Sequence, residues 1–117
     1  MQSRNTRPIS WIKAARKAFD GFPKGAQDEI LRALTVAAEG RKADTAKPLK
    51  GLGSGVFEVA LKYRTDAYRT VYALQFKERI WVVHAFQKKA RQGTKTAKQD
   101  IDLIRDRLNR LKKELRQ

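Results

Sequence analysis

Chemistry in this chain has to come from arginine, lysine and one histidine. Of its 117 residues, 27 are Lys or Arg and 12 are Asp or Glu, a formal charge of +15, and there is no cysteine. The absence of cysteine excludes disulfides, zinc–thiolate centres and thiol nucleophiles. One imidazole cannot build a His-rich metal site or a pair of rings for proton transfer, and no metal or cofactor is expected. The groups that remain suit anions. Guanidinium and ammonium ions carry fixed charge and several donors, so they hold phosphate and stabilise negative charge that develops on it. They are poor general bases unless burial or neighbouring cations depress a lysine.

Arg69 lies in an alternating segment beside Val71 and Ala73, on the face opposite Tyr68 and Tyr72. A charge there needs a partner or an open groove. Two readings stay open for it: phosphate binding, or an ion pair with Glu58 across a hairpin. Lys88 and Lys89 end an apolar run in FQKK, and Lys50 lies in PLKGLGSG. Glycines let backbone approach a phosphate closely, although the GK[ST] ending of a Walker loop is missing. His84 has the one side chain with an ordinary pKa near neutrality. Strict alternation puts it on one face with Val82 and Phe86, where it reads either as a core histidine or as an acid/base group. Arg91, Lys95 and Lys98 belong to the basic stretch QKKARQGTKTAK (87–98). They read as non-specific phosphate contacts, whose contribution falls steeply with salt.

The elements that must position these groups follow from periodicity. Residues 1–8 are polar and read as frayed. Ile9 to Ile12 reads as a short strand or a helix start, and 13–20 as an Ala-rich helix. Gly21 to Gly25 breaks the chain. Ile30, Leu31, Leu34, Ala37 and Ala38 recur at helical spacing over 26–39, with Gly40 where a left-handed cap belongs. A basic Gly/Pro loop covers 41–55. Strands are predicted over 56–63, 68–76 and 80–86, the third apolar on both faces and therefore central. Ile101, Ile104, Leu108, Leu111 and Leu115 form the apolar stripe of a closing helix over 96–115. The layout is α+β, in a chain whose length suits one domain spanning 1–117.

The excess of cations points to a polyanionic partner, nucleic acid first. No apolar run is long enough to span a membrane, no secretory h-region is visible at the start, and no helix pairs a basic face with an apolar aromatic one. The expected location is cytoplasmic.

Three blocks then resemble a known family: AKPLKGLGSGVFEV (46–59), AYRTVYAL (67–74) and VVHAFQKKARQGTKTAKQDIDLIRDRL (82–108). In order and spacing the chain resembles, over about residues 9–112, the phage-derived HigB-like branch of the RelE/ParE toxin superfamily of type II toxin–antitoxin systems. The resemblance implies a RelE-like compact domain: N-terminal helices packed on a twisted antiparallel sheet of three to four strands, an early strand at Ile9–Ile12, and a C-terminal helix. It implies a metal-independent, ribosome-dependent mRNA endoribonuclease. Its partners would be the ribosome, mRNA and a neutralising antitoxin of helix-turn-helix type, with the toxin a monomer alone and a hetero-oligomer with antitoxin. Arg69 matches the arginine of the family's YR-x-x-Y strand, and Lys88 and Lys89 its basic strand end. Arg69, Lys88, Lys89 and His84 are thus the candidate catalytic set, and Lys50, Arg91, Lys95 and Lys98 the candidate RNA contacts. The family's usual base, His or Glu at the strand end, has no clear equivalent. Two rival readings remain: a non-catalytic basic nucleic-acid-binding protein, and a ParE-type gyrase inhibitor.

Overall fold

The computed structural model describes residues 6–88 and 95–115. The elements are β1 (Ile9–Trp11), α1 (Lys13–Asp20), α2 (Lys24–Ala38), β2 (Ala46–Pro48), β3 (Val56–Tyr63), β4 (Asp66–Ala73), β5 (Ile80–Lys88) and α3 (Lys98–Leu115). Glycine and proline make the corner between α1 and α2. Gly21 caps α1, its N–H donating to Ala18 O, and Pro23 precedes α2. The Gln27 amide then ties the corner by donating to the carbonyls of Phe19, Asp20 and Phe22. Gly40 closes α2 at φ 88°, a left-handed geometry that suits glycine.

The strands form one sheet in the order β1-β5-β4-β3-β2. Helices cover both of its faces, which is why β4 is buried without interruption from Tyr68 to Ala73. On one side Phe19, Ile30 and Leu34 of α1 and α2 pack on Val59, Tyr72 and Val82. On the other, Ile104, Leu108 and Leu111 of α3 pack on Val56, Val71, Ala73 and Val83.

Several expectations change. The sheet has five strands rather than three or four, because Ala46–Pro48, inside the basic loop, pairs with Phe57–Val59. It is mixed rather than antiparallel, since β1 runs parallel to β5. The short early strand itself is present. Residues 7 and 8 are held in place rather than frayed: Arg7 N–H bonds Ala38 O, its guanidinium donates to the carbonyl of Phe76, and Pro8 O accepts from Ile80. Residues 1–5 lie outside the described part. β4 stops at Ala73 instead of Phe76, while β5 runs on to Lys88.

The most consequential difference is a bulge. Ala73 pairs with Trp81 and Tyr72 with Val82, but Val71 pairs with His84, so Val83 is an extra residue in β5. From there on alternation is shifted by one. His84, Phe86 and Lys88 lie opposite Val71, Arg69 and Ala67. His84 therefore shares the α3 face with Val83 and Phe86 and not, as alternation predicted, a face with Val82.

Candidate active site

The bulge gathers Glu58, Arg69, His84, Phe86 and Lys88 on the sheet face towards α3, near that helix's N-terminus. Strand register supplies the first two. Glu58 sits opposite Val71, and Arg69 opposite Ala60, on adjacent antiparallel strands. The Arg69 side chain is 8% exposed and that of Glu58 11%. Arg69 Nη1 donates to Glu58 Oε1 at 3.1 Å and to Thr96 Oγ1 at 3.5 Å, and the Thr96 hydroxyl donates to Glu58 Oε2 at 2.5 Å. Of the two readings left open for Arg69, the pair with Glu58 is the arrangement present.

His84 forms the second group. Its Nε2 is 2.8 Å from Asp100 Oδ1, and its Nδ1 is 3.4 Å from Arg107 Nη1. An ionised carboxylate only accepts and a guanidinium only donates. The ring proton is therefore assigned to Nε2, leaving the Nδ1 lone pair towards Arg107. The ring stacks on Phe86 at 4.8 Å, and Arg107 is itself anchored on Val83 O at 2.8 Å. Burial drives the imidazole pKa below its ordinary value and the Arg107 charge adds to this, while Asp100 and Glu58 oppose it. The ring is neutral at pH 7 and able to accept a proton once Nδ1 is uncovered.

The remaining candidates are spread out. Lys88 is buried, and its ammonium donates to the Lys95 carbonyl, joining the end of β5 to the approach to α3. Lys50 is exposed in the turn after β2. Lys95 and Lys98 are exposed beside the start of α3, where Lys98 pairs with Asp102 at 3.0 Å. Lys89 and Arg91 lie outside the described residues. Sequence reasoning missed Thr96, Asp100 and Arg107. The one local signal was Asp100 in the first helical turn, a position that favours acids for electrostatic reasons alone. Arg107 gave none, since it sits among many charged helix positions.

Chemically, the site offers a neutral imidazole with one shielded lone pair and a guanidinium held by a carboxylate, both covered. A phosphate reaching Arg69 has to take the place of Glu58. Among the described residues no group of three His, Cys, Asp or Glu side chains gathers as a metal site would require, and no helix is long and apolar enough to cross a membrane.

Comparison with known proteins adds a family and a fold. Residues 17–109 match the family model described as phage derived protein Gp49-like (DUF891). The free-state structure of a double arginine-to-alanine mutant of the E. coli toxin RelE superposes with a TM-score of 0.57 at 17% identity, covering 91% of this chain and 98% of that one. The toxin–antitoxin complex RelBE2 from Mycobacterium tuberculosis contains a chain that matches with a TM-score of 0.51 at 14% identity, covering 77% of this chain and 99% of that one. No curated protein matches the sequence.

Proposed function

The chain belongs to the phage-derived Gp49-like family, and on that premise we propose that it is the toxin of a type II toxin–antitoxin pair, of the HigB-like branch, acting as a metal-independent endoribonuclease on ribosome-bound mRNA in the cytoplasm. The observation that carries the reading is the convergence of Arg69–Glu58 and His84–Asp100 on one face of a RelE-like fold with a net charge of +15. Cleavage without metal uses the substrate's own 2′-hydroxyl as nucleophile. His84 takes that proton at Nδ1, with Asp100 orienting the ring. Arg69, released from Glu58, holds the non-bridging oxygens while charge builds on phosphorus. An ammonium proton of Lys88 or Lys89 passes to the 5′-oxygen as its bond to phosphorus breaks, giving a 2′,3′-cyclic phosphate and a 5′-hydroxyl. Lys50, Arg91, Lys95 and Lys98 grip the flanking backbone. The single domain, residues 1–117, works as a monomer, and an antitoxin of helix-turn-helix type silences it by covering the basic surface.

The test is controlled expression with mapping of mRNA 5′ ends, alongside an Arg69→Ala variant. New ends in translated transcripts that vanish in the variant are expected. Growth arrest with intact transcripts refutes the endonuclease. The closed Glu58–Arg69 pair favours one second reading, a basic RNA-binding protein without catalysis. It is separated by the same experiment, because such a protein binds ribosomes and leaves no new ends in either form.

A further inference from the structure

The opposite end of α3 leaves a groove that shares only Arg107 with the site above. Its volume is about 390 Å³, and Trp11, Ile12, Trp81 and Leu111 line it together with the cations Lys13, Arg107 and Arg110. Among the described residues Glu114 is the single carboxylate in that lining. A second hollow of about 640 Å³ shares Trp81 with it and reaches Leu115, where Phe76 adds apolar surface and Lys77 and Arg79 outnumber the carboxylate of Glu78.

Three observations mark the groove as a place that takes a ligand. The apolar stripe of α3 is buried at Ile104, Leu108 and Leu111, yet its last member, Leu115, is 49% exposed. Trp81 Nε1 is buried and finds no acceptor among the described residues, and leaving a buried donor unmet is unfavourable. Arg107 is drawn partly out of water with the charge of Arg110 beside it, and both effects lower its pKa, while Asp106, the carboxylate that pairs with Arg110 at 3.2 Å, opposes them. An incoming anion relieves that arrangement.

We propose that this groove binds an acidic peptide segment of a partner protein, with apolar anchors on Trp11, Trp81 and Leu115 and carboxylates on Arg107 and Arg110. Tryptophan and arginine in an apolar setting are the residues that dominate protein interfaces. Nucleic acid fits less well. Ile12, Leu111 and Leu115 offer nothing to base edges, and Lys98 lies about 25 Å away from Leu115 along the helix. The inference does not depend on whether the chain cleaves RNA. Arg107 also touches His84 Nδ1 and Val83 O, so a carboxylate that engages it acts on the imidazole through one side chain.

The chain has two tryptophans, and both line this groove, so indole emission reports on it alone. The protein is titrated with a glutamate-rich peptide carrying leucine at every fourth position, with the same peptide carrying alanine instead, and with oligouridylate of equal charge. The leucine peptide is expected to shift the emission, and the alanine peptide to bind about tenfold more weakly. Arg110→Glu and Leu115→Glu are each expected to weaken the leucine peptide by at least about tenfold. Leu31→Asp, on an exposed position of α2, is expected to leave it unchanged. Equal binding of the two peptides, an emission change produced by the oligonucleotide and lost in the same variants, or no change with any probe overturns the proposal.

Discussion

Replacing Arg69 by methionine keeps most of the side-chain volume and removes the charge. At 3.1 Å and an effective dielectric of about 20, the attraction to Glu58 is about 5 kcal/mol. Taking two ions out of water offsets much of that, so the intact pair contributes far less than its attraction suggests. The loss on breaking it is another matter. Glu58, 11% exposed, is left with the Thr96 hydroxyl and no paired cation among the described residues, and orphaning one member of a buried pair costs about 3–5 kcal/mol. Out of a total stability of about 5–15 kcal/mol, that leaves a marginal fold. With a urea slope of about 1.5 kcal/mol/M, a loss of 3 kcal/mol lowers the midpoint by about 2 M. Glu58→Leu alone is expected to cost a similar amount, and Arg69→Met with Glu58→Leu to return to within about 1 kcal/mol of the parent. The assay is urea unfolding of all four proteins by circular dichroism, with RNA cleavage measured in parallel. If Arg69→Met shifts the midpoint no more than an exposed ion pair would, about 0.5 kcal/mol, the pair is not desolvated and the reasoning fails. Full cleavage by the folded double variant removes Arg69 from the chemistry.

Other expectations come from the same structure. Because burial lowers the folded-state pKa of His84, the unfolded chain binds the proton first. Stability present above about pH 6.5 is therefore lost as pH falls towards the folded value, with a slope of at most about 1.4 kcal/mol per pH unit, and His84→Gln removes that part of the slope in urea titrations between pH 7.5 and 5. A Cβ on Gly25 would come within 2.6 Å and 2.7 Å of the Tyr63 ring. Gly25→Ala should therefore destabilise despite its better helix propensity, and in a Tyr63→Ala background it should instead stabilise by up to about 1 kcal/mol; thermal melts of the four proteins decide. Replacing Lys50, Lys95 or Lys98 with Gln should weaken single-stranded RNA binding regardless of sequence and reduce the slope of log affinity against log salt by about 0.7 for each true phosphate contact. An unchanged slope in a given variant removes that lysine from the RNA surface.

The helix stripes were legible because burying one side of a helix imposes a spacing of three and four, and Ile104, Leu108 and Leu111 do form the contact with the sheet. The β3–β4 hairpin was legible for the same reason at a period of two, as was the opposition of Arg69 to Tyr68 and Tyr72. The short strands were not all equally visible. Ala46–Pro48 is three residues in a loop of glycine, proline and lysine, and its pairing depends on backbone bonds to β3 that leave no trace in side-chain type. Trp11 and Trp81 pack against the two cores but are only half-buried. Whether an aromatic side chain finishes under cover depends on where a neighbouring helix ends.

By itself the sequence determined the charge, the absence of thiol and histidine-cluster chemistry, the α+β class and the identity of the groups available to meet a phosphate. The tertiary structure alone decided which of those groups meet. An inserted residue such as Val83 looks like any other apolar strand residue until it is set against its partner strand, because a bulge is a property of two strands in register and not of one. That single residue turns His84 towards Asp100 and Arg107, and Lys88 to the face of Arg69. Whether Arg69 waits for substrate or is held by Glu58 depends likewise on how closely two strands and the start of α3 come together, a matter of three-dimensional distance that no spacing along the chain encodes.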